Sequence, residues 1–258
     1  MAMRYVAGVF VALSWAMALA GAQNIYVERG DAGDLPTTAQ LVQDANARGC
    51  QTPVDAIQGT LGEDDVDMYV ICITNPANFS AATVGLVEWD TQLWLFRCDG
   101  RGVVFNDDFG GLLQSRIDNS TGCIAQSGIY LLTISRYNRF PVNYEGQPLW
   151  DPGGNPGGIR CPDGVRPNDP VFSWSGSTPL SGEYTIILTG AYFVNQNGCC
   201  ITAGGDVDLN GCINNADLLR VLFAFGQSGA FLPEDVTCDG VVNNADLLTV
   251  LFNFGQGC

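Results

Sequence analysis

The run DMYVICIT, residues 67–74, alternates side chains along a stretch rich in Val, Ile and Tyr, with no Gly or Pro inside it. GIYLLTIS, residues 128–135, repeats the habit. Successive side chains of a strand point to opposite faces, so short β-branched runs of this kind predict strands rather than helices. Working outward, further candidate strands lie at 24–28, 81–86, 91–98, 102–106 and 182–192, and the two quoted runs extend to 67–74 and 128–137. Turn residues separate them. The spacing predicts a mainly β architecture for residues 23–203, an antiparallel β-sandwich. TTAQLVQDANARG, residues 37–49, is the exception and reads as a helix, with Thr38 as its cap and Gly49 as its stop.

The chain has 258 residues, which suits one or two domains. Residues 1–22 carry one Arg, a short apolar core and the small residues AGA, the pattern of a secretory signal cut after Ala22. The alternative for that segment is an N-terminal membrane anchor. No later run is long and apolar enough to span a bilayer. The ten cysteines all follow the signal segment, and their even number predicts disulfides in an exported protein.

Composition narrows the chemistry. The net charge is −16, and the chain has neither His nor Lys, its basic residues all being Arg. Such an acidic chain repels nucleic acid and attracts cations. Without His there is no Ser-His-Asp triad and no Cys-His pair. Without Lys there is no Schiff base. A carboxylate pair of the glycosidase kind is the one catalytic route left, and no pair stands out. The chain is therefore expected not to be an enzyme.

Residues 138–181 differ from the rest, holding eight of the twelve prolines among many glycines. Phe140, Tyr144, Trp150 and Trp174 lie within this insertion. They either stack on a glycan or pack on the sandwich, and packing is the commoner fate of such aromatics. Asp90, Asn106, Asp107 and Asp108 also offer two readings. They are turn formers, which is the reading favoured here, or they are a further calcium site.

The motifs DDVDMYVICI, WDTQLWLFRCDGRGVVFNDD, SGIYLLTISRYN and GEYTIILTG occur in the order of the bacterial pre-peptidase C-terminal family. Residues 57–192 resemble that family. The resemblance implies a small jelly-roll-like sandwich that accompanies secreted or surface proteins, generally without catalysis, some members binding calcium or polymers. The long insertion departs from the family's short form.

After residue 203 the pattern changes. DVDLNGCINNAD, residues 206–217, and DVTCDGVVNNAD, residues 235–246, are near-repeats twenty-nine residues apart. Calcium needs six or more oxygen ligands, and a twelve-residue loop supplies them at fixed offsets around a glycine at position six. In the first loop these are Asp206, Asp208, Asn210, the Cys212 carbonyl, Asn214 and Asp217. In the second they are Asp235, Thr237, Asp239, the Val241 carbonyl, Asn243 and Asp246. Thr237 places a neutral hydroxyl where a carboxylate or amide is usual, so the second loop should bind more weakly. Ile213, at position eight, is expected to pair the two loops and plug the core.

A helical segment follows each loop, with apolar residues at 218, 219, 222 and 225 and again at 247, 248, 251 and 254. Gly226 and Gly255 are expected to end the helices. No helix is expected before either loop. An antiparallel helix pair would bring Cys258 back to Cys212, and Cys238 could pair with Cys199 or Cys200.

Two loop–helix units without entering helices resemble type I dockerin repeats, including the Asp at position twelve. The resemblance covers residues 206–255 and implies attachment to a cohesin-like partner. It places partner choice at loop positions ten and eleven, here Asn215, Ala216, Asn244 and Ala245. The very apolar helices keep a second possibility open, that of self-association into an extracellular matrix or filament. Residues 204–258 are thus expected to form a calcium-binding module in which the ion is structural, on a secreted or cell-surface protein.

Overall fold

The computed structural model describes residues 24–194, 205–208, 210, 212–228, 232–237 and 241–258. The signal segment 1–22, and the expectations placed on Cys199, Cys200, Gly211, Cys238, Asp239 and Gly240, lie outside the described residues.

The chain is mainly β. Thirteen strands precede two helices among the described residues. One sheet orders β1 (Ile25–Val27), β3 (Ala56–Leu61), β12 (Gly182–Thr189), β5 (Ser80–Ala82) and β8 (Arg116–Asp118). The other orders β13 (Ala191–Tyr192), β4 (Val66–Ile73), β9 (Gly128–Arg136), β6 (Thr91–Arg97) and β7 (Gly102–Asn106), with β2 (Gln40–Leu41) also on β4. Pairing is antiparallel except β1 on β3 and β2 on β4, which are parallel. A separate ribbon joins β10 (Phe140–Val142) to β11 (Ser173–Ser175).

The alternation of the opening run explains the layering. Tyr69, Ile71 and Ile73 of β4 enter a core shared with Ile57 and Leu61 of β3 and with Tyr184, Ile186 and Leu188 of β12. Met68, Val70 and Cys72 point the other way, into a second core. That second core is closed by Phe140, Leu149, Trp150 and Val171, all from the insertion. The run is apolar on both faces because both faces are covered. Trp94 of β6 stacks on Phe105 at 3.7 Å between ring centroids and meets Trp150 edge-on at 5.2 Å. Gly102 leaves room for the Trp150 ring, which a Cβ there would meet at 2.3 Å.

The helix expected at 37–49 is absent. Leu41 and Val42 instead extend along β4, Val42 donating to the Val70 carbonyl at 3.2 Å. Thr38 Oγ1 accepts from Leu35 N at 3.2 Å, so it closes a turn behind itself and caps nothing ahead. Burying Val42 beside a central strand outweighs the weak local helix preference. The strand expected at 81–86 stops at Ala82, where Thr83 turns inward to bond Thr91 and Ser115. The strand expected at 182–192 breaks at Gly190, whose φ of +69° suits glycine.

Disulfides join Cys50 to Cys72, Cys123 to Cys161 and Cys212 to Cys258, and Cys98 is disulfide-bonded as well. Cys123–Cys161 fastens the insertion. Among the described residues no helix is long and apolar enough to cross a membrane.

The helices α1 (Asn215–Ala224) and α2 (Asn244–Phe252) enclose their own core. It is built in duplicate. Val207 and Val236, Ile213 and Val242, and Val221 and Val250 are each separated by the sequence repeat. Leu218 and Leu247 pack partly against it, while Leu219, Leu222, Phe225, Leu248, Leu251 and Phe254 stay exposed. The buried stripe of each helix is therefore narrower than the apolar periodicity suggests.

Candidate metal centre

Asn214 and Asn243, at loop position nine, start the two helices. Their side chains accept from Ala216 N at 2.8 Å and Ala245 N at 2.7 Å. Asp217 and Asp246 complete capping boxes by accepting from Asn214 N at 2.9 Å and Asn243 N at 2.7 Å. A carboxylate in the first turn also faces the positive end of the helix dipole. The same residues that make each helix begin thus fix the end of each loop.

The first loop gathers its acids. Oxygens of Asp206, Asp208 and Asp217 lie within 4.8 Å of one another. Oxygens around an ion held at about 2.4 Å are at most about 5 Å apart, so the spacing suits a hard divalent cation. Asp217 is fully buried and its Oδ1 also accepts from Val207 N at 2.7 Å and Asp208 N at 3.1 Å. Asp208 holds Asn210 N at 3.2 Å, and Asn210 holds Cys212 N at 2.8 Å. Burial, and then Asp217 beside it, raise the Asp208 pKa above its ordinary value. The Cys212 carbonyl accepts from the Asn214 amide at 3.0 Å, which keeps it on the loop.

In the second loop Thr237 stands between the acids. Its hydroxyl lies 2.8 Å from Asp246 Oδ1 and 3.4 Å from Asp235 Oδ1, and its amide donates to Asp246 at 2.9 Å. The Val241 carbonyl accepts from Asn243 at 3.1 Å. The hydroxyl donor occupies carboxylate lone pairs that a cation would use.

Position eight behaves differently from expectation. Ile213 plugs the core, but it bonds the exit of α2, through Gly255 N at 2.8 Å and Gln256 O at 3.0 Å. Val242 bonds the exit of α1 in the same way, through Gly226 N at 2.8 Å and Gln227 O at 2.9 Å. Each loop therefore clasps the far end of the other unit's helix, and Gly226 and Gly255 follow the helix ends with φ near +87° and +85°. Asn215, Ala216, Asn244 and Ala245 are all exposed. Phe223 and Phe252, towards the far ends of the two helices, are each more than four-fifths exposed.

A second acidic group forms in the β region. Asp90 precedes β6 and Asp107 and Asp108 follow β7, and the antiparallel register brings those ends together. Their oxygens lie within 4.8 Å of one another. Asn106 fits the turn reading, since its amide bonds the Asp108 and Pro156 carbonyls at 3.1 and 3.3 Å. Among the described residues no turn amide bonds the side chain of Asp90, Asp107 or Asp108. Burial, with Asp90 and Asp108 close by, pushes Asp107 up to about 7 against the opposing pull of Gln92 and Arg160. Burial and Asp108 push Asp90 up to about 6, opposed by Arg136.

A third group, Glu28, Asp31 and Asp67, was not anticipated from sequence. Glu28 accepts from Ala32 N at 3.1 Å and Thr60 N at 2.8 Å. Fully buried Asp67 accepts from the Tyr184 hydroxyl at 2.5 Å, and Tyr184 in turn bonds Tyr69. Burial first, then Glu28, Asp65 and Asp31, raise Asp67 to about 8 against the Tyr184 bond. Glu28, Asp31 and Tyr184 reach Asp67 from elements distant in sequence, so no local pattern announces the group.

Of the insertion aromatics, Phe140 and Trp150 are buried and Trp174 packs against them. Tyr144 is exposed, with its ring edge-on to Phe172. A scan against protein-family models and a search of curated proteins both find no match to this chain.

Proposed function

We propose that the protein is a secreted, non-catalytic, calcium-binding adaptor. Its two facing sheets form a jelly-roll-like β-sandwich, and its C-terminal residues form a dockerin-like module that attaches the sandwich to a cohesin-like partner on a scaffold or cell surface. The observation that carries this reading is the duplicated clasp: two loops, two Asn caps, two first-turn aspartates and three repeat-related core pairs. The convergence of Asp206, Asp208 and Asp217 supports calcium as the ion. The ion is structural, since it orders loops whose carboxylates otherwise repel. The exposed repeat pairs Asn215–Ala216 and Asn244–Ala245 are identical, which supports two equivalent modes of docking.

A second reading, a self-assembling extracellular subunit, draws on the exposed Leu219, Leu222, Phe223 and Phe225 and their counterparts on α2. Calcium-dependent capture of a cohesin-bearing protein by a chain that scatters light as a monomer supports the adaptor. Ordered polymers of the chain alone, with no such capture, overturn it in favour of the matrix subunit.

A further inference from the structure

We propose that Asp90, Asp107 and Asp108 bind a calcium ion that seats residues 152–156 of the insertion against the end of the second sheet. This site is separate from the C-terminal loops and does not depend on them.

The site centres on Asp107. It is 4 % exposed, and among the described residues nothing hydrogen-bonds its Oδ1. Asp90 Oδ1 is likewise buried without a hydrogen-bond partner. A buried carboxylate left this way is costly unless a cation or a proton meets it. Arg160, which lines the same cavity, and Arg136 pull on these carboxylates from nearby, but no ion pair joins either to them among the described residues. Arg160 pairs with Asp163 at 2.8 Å, and Arg136 lies over Trp89 at 4.2 Å and bonds the Ser181 carbonyl. The three carboxylates border a cavity of about 250 Å³, whose far wall is Pro152, Gly153, Gly154 and Pro156. That volume holds waters to complete an oxygen shell, which calcium accepts at six to eight ligands. The wall is already tied to the site, because Asp108 N donates to the Pro156 carbonyl at 3.0 Å. An ion bound to Asp108 thereby fixes the loop as well as the strands.

The test is calorimetric titration of the chelator-stripped full chain with calcium chloride, beside tryptic cleavage after Arg160. A loop variant, Asp217→Asn with Asp246→Asn, is expected to retain one calcium per chain. Adding Asp107→Asn or Asp108→Asn to it should abolish that calcium, and calcium should then no longer slow cleavage. If Asp107→Asn loses the near-ultraviolet signal of its buried tryptophans, Asp108→Asn alone carries the result. A loop variant that binds no calcium, or aspartate variants that keep it, overturns the site in favour of carboxyls sharing a proton. One calcium in the unmodified chain, removed by Asp107→Asn, upholds this site and contradicts the calcium reading of the loops.

Discussion

Asp217 and Asp246 each sit at a junction between loop and helix. Each accepts amides from the loop behind it and from the cap residue beside it. Replacing Asp217 with Ala leaves buried amides without an acceptor, at about 1–3 kcal/mol each in the general case. The C-terminal module of Asp217→Ala should therefore melt well before the sheets, which circular dichroism on heating resolves. Asp67 gives a pH signature. Its carboxyl titrates near 8 in the folded chain, against an ordinary value of 3.8. The folded state thus keeps a proton that the unfolded chain has released. Stability from this group is fully present below pH ~4 and is lost as pH rises towards ~8. Asp67→Asn mimics the protonated acid, so its melting temperature should change less over that range than the wild type's. An unchanged pH profile contradicts the assignment. The repeated loops and the helices that follow them were legible in the sequence, whereas the role of Asn214 and Asn243 as helix caps was not read there. Asp67 was not legible either, because its hydrogen-bond partner Tyr184 is 117 residues away.

Among the elements, β4 sets the pattern, with one face in each core. The sequence showed the strand but not the reason for its two apolar faces, which is the insertion lying over one of them. Trp150 is the centre of that cover. Its replacement by Ala should cost about 3–5 kcal/mol, measured by urea denaturation, since no neighbour can fill so large a void. The short strands β2, β8, β10 and β11 went unseen, as two or three residues carry no readable period, and so did the six-residue β3, whose sequence AIQGTL is interrupted by a glycine. The segment at 37–49 misled because its apolar spacing suits a helix until β4 offers Val42 a better burial. At the loops, Thr237 is the weak point. Thr237→Asp replaces a competing donor with a ligand, so calorimetry should show tighter calcium binding at the second loop. Equal or weaker binding argues against position three as a ligand.

The whole molecule joins a β region with two cores to a small helical module with its own. The module is too small to bury much apolar surface, and the Cys212–Cys258 bridge closes most of its chain. Chain-entropy arguments assign a bridge of this span up to about 4 kcal/mol. The cysteine pairing was legible once two antiparallel helices were expected, whereas the clasp of each loop on the opposite helix exit was not. With a net charge of −16 and carboxylates gathered at the loops, the proposed cation binding would offset their repulsion and let the module close. Far-ultraviolet circular dichroism of the full chain, in calcium and then in excess chelator, tests this most directly. Cooperative loss of the helical signal from α1 and α2, with the β signal retained, is the expected result. A spectrum unchanged by chelator contradicts it.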